Sequence, residues 1–166
     1  MFLGEYQHNV DGKGRIAIPA RFRAKIEGGA VLTRGVEACL YVYPLAIWEE
    51  KARALDAAIA DPRKRRQVER RFFGMAYECE LDGQGRIVIP AAFRAYAGLP
   101  TNGNGTGGGN GHGTGNGGNG NGGNGSGGEA MVIGARERFE IWSPERWQAY
   151  LAETQDDDLS ALPLPF

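Results

Sequence analysis

A stretch that the chain writes twice constrains everything else about it. Val10-Asp11-Gly12-Lys13-Gly14-Arg15-Ile16-Ala17-Ile18-Pro19-Ala20-Arg21-Phe22-Arg23 returns 71 positions later as Leu81-Asp82-Gly83-Gln84-Gly85-Arg86-Ile87-Val88-Ile89-Pro90-Ala91-Ala92-Phe93-Arg94. Each copy reads as strand, tight turn, strand and short helix. Asp-Gly-x-Gly offers an Asx-capable side chain and two glycines for positive φ, and the Ile-x-Ile beyond it alternates with period two. Strand geometry sends Ile16 and Ile18 to one face and Arg15 and Ala17 to the other. Arg15 and Arg86 therefore leave their turns on the polar side, at symmetry-related places.

The segments around the repeat follow the same plan. Glu5 to Val10 forms the first arm of hairpin one, and Pro19 opens a short helix to about Ile26, stopped by Gly28-Gly29. Ala30 to Thr33 and Ala38 to Tyr43 read as strands rich in β-branched and aromatic side chains. Trp48, Leu55 and Ile59 then recur at helical spacing, and Asp61-Pro62 places a capping side chain before a proline, predicting a second helix to about Phe72. Met75 to Leu81 enters hairpin two. Ala130 to Trp142 matches Val31 to Tyr43 at an offset of 99, with Gly134 against Gly35, which implies a 28-residue insertion in copy two. Ser143-Pro144-Glu145 starts a closing helix in which Trp147 falls where Trp48 falls, and both tryptophans are expected to pack in the core. Residues 102–128 contain 16 of the chain's 27 glycines and no apolar surface to offset the entropy of ordering, so a mobile loop is expected there, with His112 incidental. Asp156-Asp157-Asp158 and the residues after them are expected to fray.

The net charge of −1 conceals an asymmetry: residues 1–75 hold 14 Lys or Arg against 9 Asp or Glu, whereas residues 76–166 hold 5 against 11. The first half is thus the candidate for a polyanion. Its Arg63-Lys64-Arg65-Arg66 run, with Arg70 and Arg71, reads either as a solvated helix face or as a phosphate contact. Cys39 and Cys79 have neither CxxC spacing nor an accompanying His pair, so they are expected to be reduced and buried, with no metal and no cofactor. No basic leader followed by an apolar run starts the chain and no long apolar stretch follows, which points to a soluble, cytoplasmic protein without a membrane partner.

Enzyme readings fit poorly. Two Asp-Gly dipeptides resemble a paired-carboxylate protease site, but Gly12 and Gly83 stand where that site has Ser or Thr, and an arginine four residues on favours ionised carboxylates over a shared proton. Gly12-x-Gly14 lacks the spacing and the Lys-Ser/Thr ending of a P-loop. No catalysis and no small-molecule substrate are expected.

Two D-x-x-x-R motifs, each followed by Ile-x-Ile-Pro, together with Leu32-Thr33-Arg34-Gly35, Leu40-Tyr41-Val42-Tyr43-Pro44, Arg71-Phe72-Phe73-Gly74 and Phe139-Glu140-Ile141-Trp142, resemble the MraZ family. The resemblance implies an α+β fold with a β-rich core, made of two pseudo-two-fold-related swapped-hairpin modules similar to AbrB with short helices. They would span residues 1–75, including the basic connecting helix, and 76–166, interrupted by the loop at 102–128. It also implies a nucleoid-associated regulator of the division and cell-wall gene cluster, binding repeated promoter sites on double-stranded DNA as a ring-shaped homo-oligomer. The family's DNA-facing loops carry over to Asp11, Arg15, Asp82 and Arg86. On physical grounds an Arg at the base of a glycine turn can grip a guanine edge or a phosphate, with Lys13, Arg21, Arg23 and Arg94 as further cationic candidates. The alternative is a structural oligomer without DNA specificity. Gln84 and Ala92 stand where copy one has Lys13 and Arg21, so unequal contributions from the two copies are expected.

Overall fold

The computed structural model describes residues 1–101 and 127–155. Four strands come from each half: β1 (Glu5–Val10), β2 (Arg15–Ala17), β3 (Ala30–Arg34) and β4 (Leu40–Pro44), then β5 (Ala76–Cys79), β6 (Arg86–Val88), β7 (Gly128–Ala135) and β8 (Arg138–Trp142). They form one eight-stranded antiparallel sheet in the order β5-β3-β4-β8-β7-β1-β2-β6. The strands at its two ends, β5 and β6, are joined by the second Asp-Gly-x-Gly turn, so the sheet curls round until nearly closed. The helices are α1 (Ala20–Arg23), α2 (Leu45–Ala58), α3 (Pro62–Phe72), α4 (Ala91–Ala97) and α5 (Pro144–Glu153).

The hairpins are swapped. β1 of the first half pairs with β7 of the second, and β5 of the second pairs with β3 of the first. Strand register locates the pseudo-two-fold axis directly. In the β2–β6 pair Ile16 faces Ile87, its own repeat mate, and in the β4–β8 pair Tyr41 faces Glu140. The dyad thus crosses the sheet at two places, and each hairpin is completed by a strand of the other half.

Register also corrects the repeat alignment. Since β3 pairs β4 as Thr33↔Tyr41 and β7 pairs β8 as Ile133↔Glu140, Thr33 corresponds to Ile133, an offset of 100 on this strand but 99 on β8. The β7–β8 turn is therefore one residue shorter than the β3–β4 turn, and Gly134 is the mate of Arg34 rather than of Gly35. The two glycines serve different ends: a Cβ on Gly134 would strike the backbone of Phe2 and Leu3, and one on Gly35 would strike Cys39 Sγ and the Tyr41 ring. The one-residue offset restores equal facing, with Ala30 and Ala130, and Leu32 and Val132, all buried.

One core lies inside the curl. Val10, Ile16, Ile18, Ile87, Ile89, Leu40, Val42, Val132 and Ile141 interdigitate there with Phe2, Phe22 and Phe139. Both tryptophans are buried, but in satellites on the outer side. Trp48 stacks on Phe72 at 4.1 Å, while Trp147 packs on Trp142 and Tyr150. The short strands suffice because each apolar face is closed over by the partner half. Asp61 caps α3 as its sequence position predicts, its carboxylate accepting from Arg63 N at 2.8 Å. The two cysteines are buried free thiols, Cys39 and Cys79 both being pushed up by burial to about 12, so both stay protonated and unreactive near neutrality. The expectations for residues 102–128 fall outside the described residues except at the end, where Gly128 already pairs with Val10 in the β7–β1 ladder. His112 and Asp156 to Asp158 lie outside them too.

Candidate nucleic-acid interface

The two repeat turns are built alike, bond for bond. In the first, Asp11 Oδ1 accepts from the N–H groups of Lys13 and Arg15, both at 2.9 Å, and Oδ2 accepts from Arg15 Nε at 2.7 Å. In the second, Asp82 Oδ1 accepts from Gln84 N at 2.8 Å and Arg86 N at 3.0 Å, and Oδ2 from Arg86 Nε at 2.8 Å. The backbone closes each loop twice, from Gly14 N to Asp11 O and from Asp11 N to Arg15 O, and likewise from Gly85 N to Asp82 O and from Asp82 N to Arg86 O. This is a three-residue loop ending in a left-handed glycine, the G1-bulge arrangement.

Only the second glycine of each pair is left-handed, Gly14 at φ 79° and Gly85 at φ 73°, which corrects the expectation of two positive-φ glycines per turn. A Cβ on Gly83 would meet open space, so the first glycine of that turn is not demanded by packing. Its absence of side chain leaves the loop crest low.

The carboxylates are held ionised. For Asp11 the burial penalty is the largest single effect, but the Arg15 amide and guanidinium and the Lys13 amide together outweigh it, while for Asp82 the Arg86 amide leads, so both titrate below the usual carboxylate range. A depressed folded-state value means that the loop gains stabilisation fully above the ordinary carboxylate value, and loses it as pH falls through the folded value. Protection of the Lys13, Arg15, Gln84 and Arg86 amides against exchange, relative to an unstructured chain at the same pH, should therefore hold near neutrality and fall below about pH 4. Constant protection down to the acid unfolding of the whole domain would show that the carboxylates do not clasp the loops.

The strand pair brings the two arginines together. Arg15 faces Val88 and Arg86 faces Ala17 across the dyad, so these four side chains share the outer face while Ile16 and Ile87 fill the core below. Arg15 and Arg86 are diagonal neighbours on this face, a placement that sets their Cα atoms roughly 7–8 Å apart. Each spends Nε on its own aspartate, and the Nη atoms of both make no hydrogen bond among the described residues. Lys13 and Gln84 sit exposed on the loop crests, and Arg21 is exposed on α1.

Two sequence candidates sit elsewhere. Arg94 is buried, 8 % exposed, with Nη1 donating to Pro100 O at 3.1 Å, and Arg23 is half-buried with Nε donating to Ile18 O at 2.8 Å. Each lies beneath the loop of the other half: a Cβ on Gly14 would come within 3.0 Å of the Arg94 guanidinium, and one on Gly85 within 2.5 Å of that of Arg23. The sequence carried no signal for this swap beyond the glycines themselves. The basic helix α3 is exposed along its length and joins the fold through Phe72 on Trp48, on the β3–β4 side rather than on the β2–β6 face. No cluster of metal-ligating side chains is present, and no helix is long and apolar enough to cross a membrane, among the described residues.

Two hairpins interleaved about a dyad, each clasped by its own Asp–Arg pair, define a fused swapped-hairpin protein with two symmetry-related arginine-bearing loops on one face. The family profile described as "MraZ protein, putative antitoxin-like" matches residues 1–70, 72–102 and 124–163. Relatives include the Transcriptional regulator MraZ of Roseiflexus castenholzii, 40% identical over 92% of this chain and 87% of its own length, and that of Moorella thermoacetica, 40% identical over 94% and 90%. The namesake of Halothermothrix orenii is 37% identical over 97% and 95%. The chain belongs to the MraZ family.

Proposed function

We propose that this chain is a transcriptional regulator that grips double-stranded DNA with its two Asp-Gly-x-Gly-Arg loops. The single observation that carries the reading is the shared β2–β6 face, where two guanidinium groups, each oriented through Nε by its own aspartate, keep their Nη atoms for a partner. A guanidinium fixed in this way is pre-organised for a bidentate contact to guanine O6 and N7 or to a phosphate. Asp11 and Asp82 act as orienting groups, Arg15 and Arg86 as the reading groups, and Lys13 and Arg21 as phosphate contacts on the stronger side. Relatives bearing the name Transcriptional regulator MraZ support the same reading. In its finer form the protein acts in the cytoplasm, associated with the nucleoid, on repeated promoter sites of the division and cell-wall gene cluster. It does so as a ring of identical subunits and without catalysis. Repetition of modest contacts around a ring supplies avidity that one subunit lacks.

A gel shift on the DNA upstream of the protein's own gene, against a scrambled duplex of equal length, tests this directly. Retarded cognate DNA with weak scrambled binding is expected, and equal binding to both would leave only a structural oligomer. Lys13→Ala should weaken binding about equally on all sequences and lower the slope of log affinity against log salt by roughly one. An unchanged slope would remove Lys13 from the phosphate contacts.

A further inference from the structure

The packing beneath the loops reaches across the dyad in both directions. Arg94, from the second half, lies under Gly14 of the first loop, and Arg23, from the first half, lies under Gly85 of the second. The backbone repeats the exchange, since Ile89 N donates to Gly14 O at 2.8 Å and Ile18 N donates to Gly85 O at 2.9 Å. Neither glycine has room for a side chain, so loop and guanidinium are in direct contact. The two props are unequal. Arg23 satisfies its Nε on Ile18 O, whereas Arg94 reaches Pro100 O with Nη1 and its buried Nε has no partner among the described residues. A buried, unpaired donor is costly, and a site that retains one over an apolar residue of similar volume has a use for the cation there.

We propose that Arg23 and Arg94 are positioning residues that act through the opposite loop: Arg94 sets the direction in which Arg15 leaves the first hairpin, and Arg23 sets that of Arg86, which couples the two loops into one reading unit. The DNA half of this statement rests on the function proposed above, while the coupling itself does not. A residue placed under a loop by sequence neighbours would report on its own module. Here each reports on the other, 79 positions away for Arg94 and Arg15 and 63 for Arg23 and Arg86.

The test uses the full chain, with backbone and carboxyl NMR of Arg94→Ala, Arg94→Lys, Arg23→Ala and wild type, and a titration of each against the cognate and scrambled duplexes. Arg94→Ala should shift the amides of Lys13, Gly14 and Arg15 and move the Asp11 carboxyl titration towards its ordinary range, leaving Asp82 to Arg86 unchanged. Arg23→Ala should do the reverse. Cognate affinity should fall roughly five- to tenfold in each, a part of the value of one bidentate contact, and Arg94→Lys should recover only part of it because a lysine cannot lie flat against a peptide. If burial makes Arg94→Ala fail to fold, half-buried Arg23 carries the same decision alone. Shifts confined to the variant's own module, or spread evenly over both loops, would overturn the coupling. Opposite-loop shifts with unchanged DNA affinity would sustain the coupling and overturn the DNA reading of the loops.

Discussion

Arg15→Ala should cost about 1–3 kcal/mol of binding per site and erase much of the preference for cognate over scrambled DNA, while melting temperature and oligomer size stay close to wild type. The two outcomes separate because of how the loop is wired. Asp11 Oδ1 keeps its two amide bonds when the guanidinium is gone, and the lost ion pair is one whose partners are 30% and 37% exposed, a class worth ~0–1 kcal/mol to folding. In a ring that lays several subunits on one duplex the per-site losses multiply. Arg86→Ala should follow with a smaller effect, since Gln84 leaves the second loop less positive. Titrating both variants on both duplexes at two salt concentrations decides the matter. If Arg15→Ala binds cognate DNA like wild type, the arginine only closes the hairpin, and the exposed helix α3 becomes the better candidate.

The largest effect on stability is expected from Phe22→Ala. Phe22 is fully buried with the rings of Phe2, Tyr6 and Phe139 at 5.0, 5.3 and 5.5 Å, so truncation should cost ~3–5 kcal/mol, a large part of a typical domain's total. Its repeat mate Phe93 is half-buried, with Tyr77 at 6.3 Å as its aromatic neighbour, and Phe93→Ala should cost less than half as much. Urea unfolding of the two variants side by side measures the difference. Equal losses would mean that the core is as symmetric as the repeat and that the asymmetry in packing has no energetic weight.

The pair Phe22 and Phe93 also marks where sequence reading succeeds and where it stops. A repeat reveals equivalence of place, so the hairpins, the dyad, the shared inward face of Ile16 and Ile18 and the outward Arg15 and Arg86 were all legible, whereas the pairing of Ile16 with Ile87 was not. Local chemistry was legible too, as in the Asp61 cap and the Ser143 cap, whose Oγ accepts from Arg146 N. Burial was not, because it depends on what the other half lays over a residue. Arg94 reads as the mate of Arg23, yet α4 runs for seven residues where α1 has four, and the chain beyond it brings Pro100 over the guanidinium. The missed residue in the β7–β8 turn has a different cause. Matching glycines attracted the alignment, although only strand pairing fixes register, and a one-residue slip exchanges the two faces of a strand.

The swapped pairing also sets the order of events during synthesis. Strand β1, residues 5–10, has its full-length neighbour in residues 128–133 of β7, whereas its contact with β2 is the single pairing Val10↔Ile16. At ribosomal speeds of roughly 5–20 residues per second, the first strand to emerge waits on the order of ten seconds for its partner. Meanwhile its ladder edge is open to other nascent chains. Contacts of such long range are slow to close even once the whole chain is free. A ribosome stalled after Pro100 therefore holds a chain whose first strand lacks its main partner.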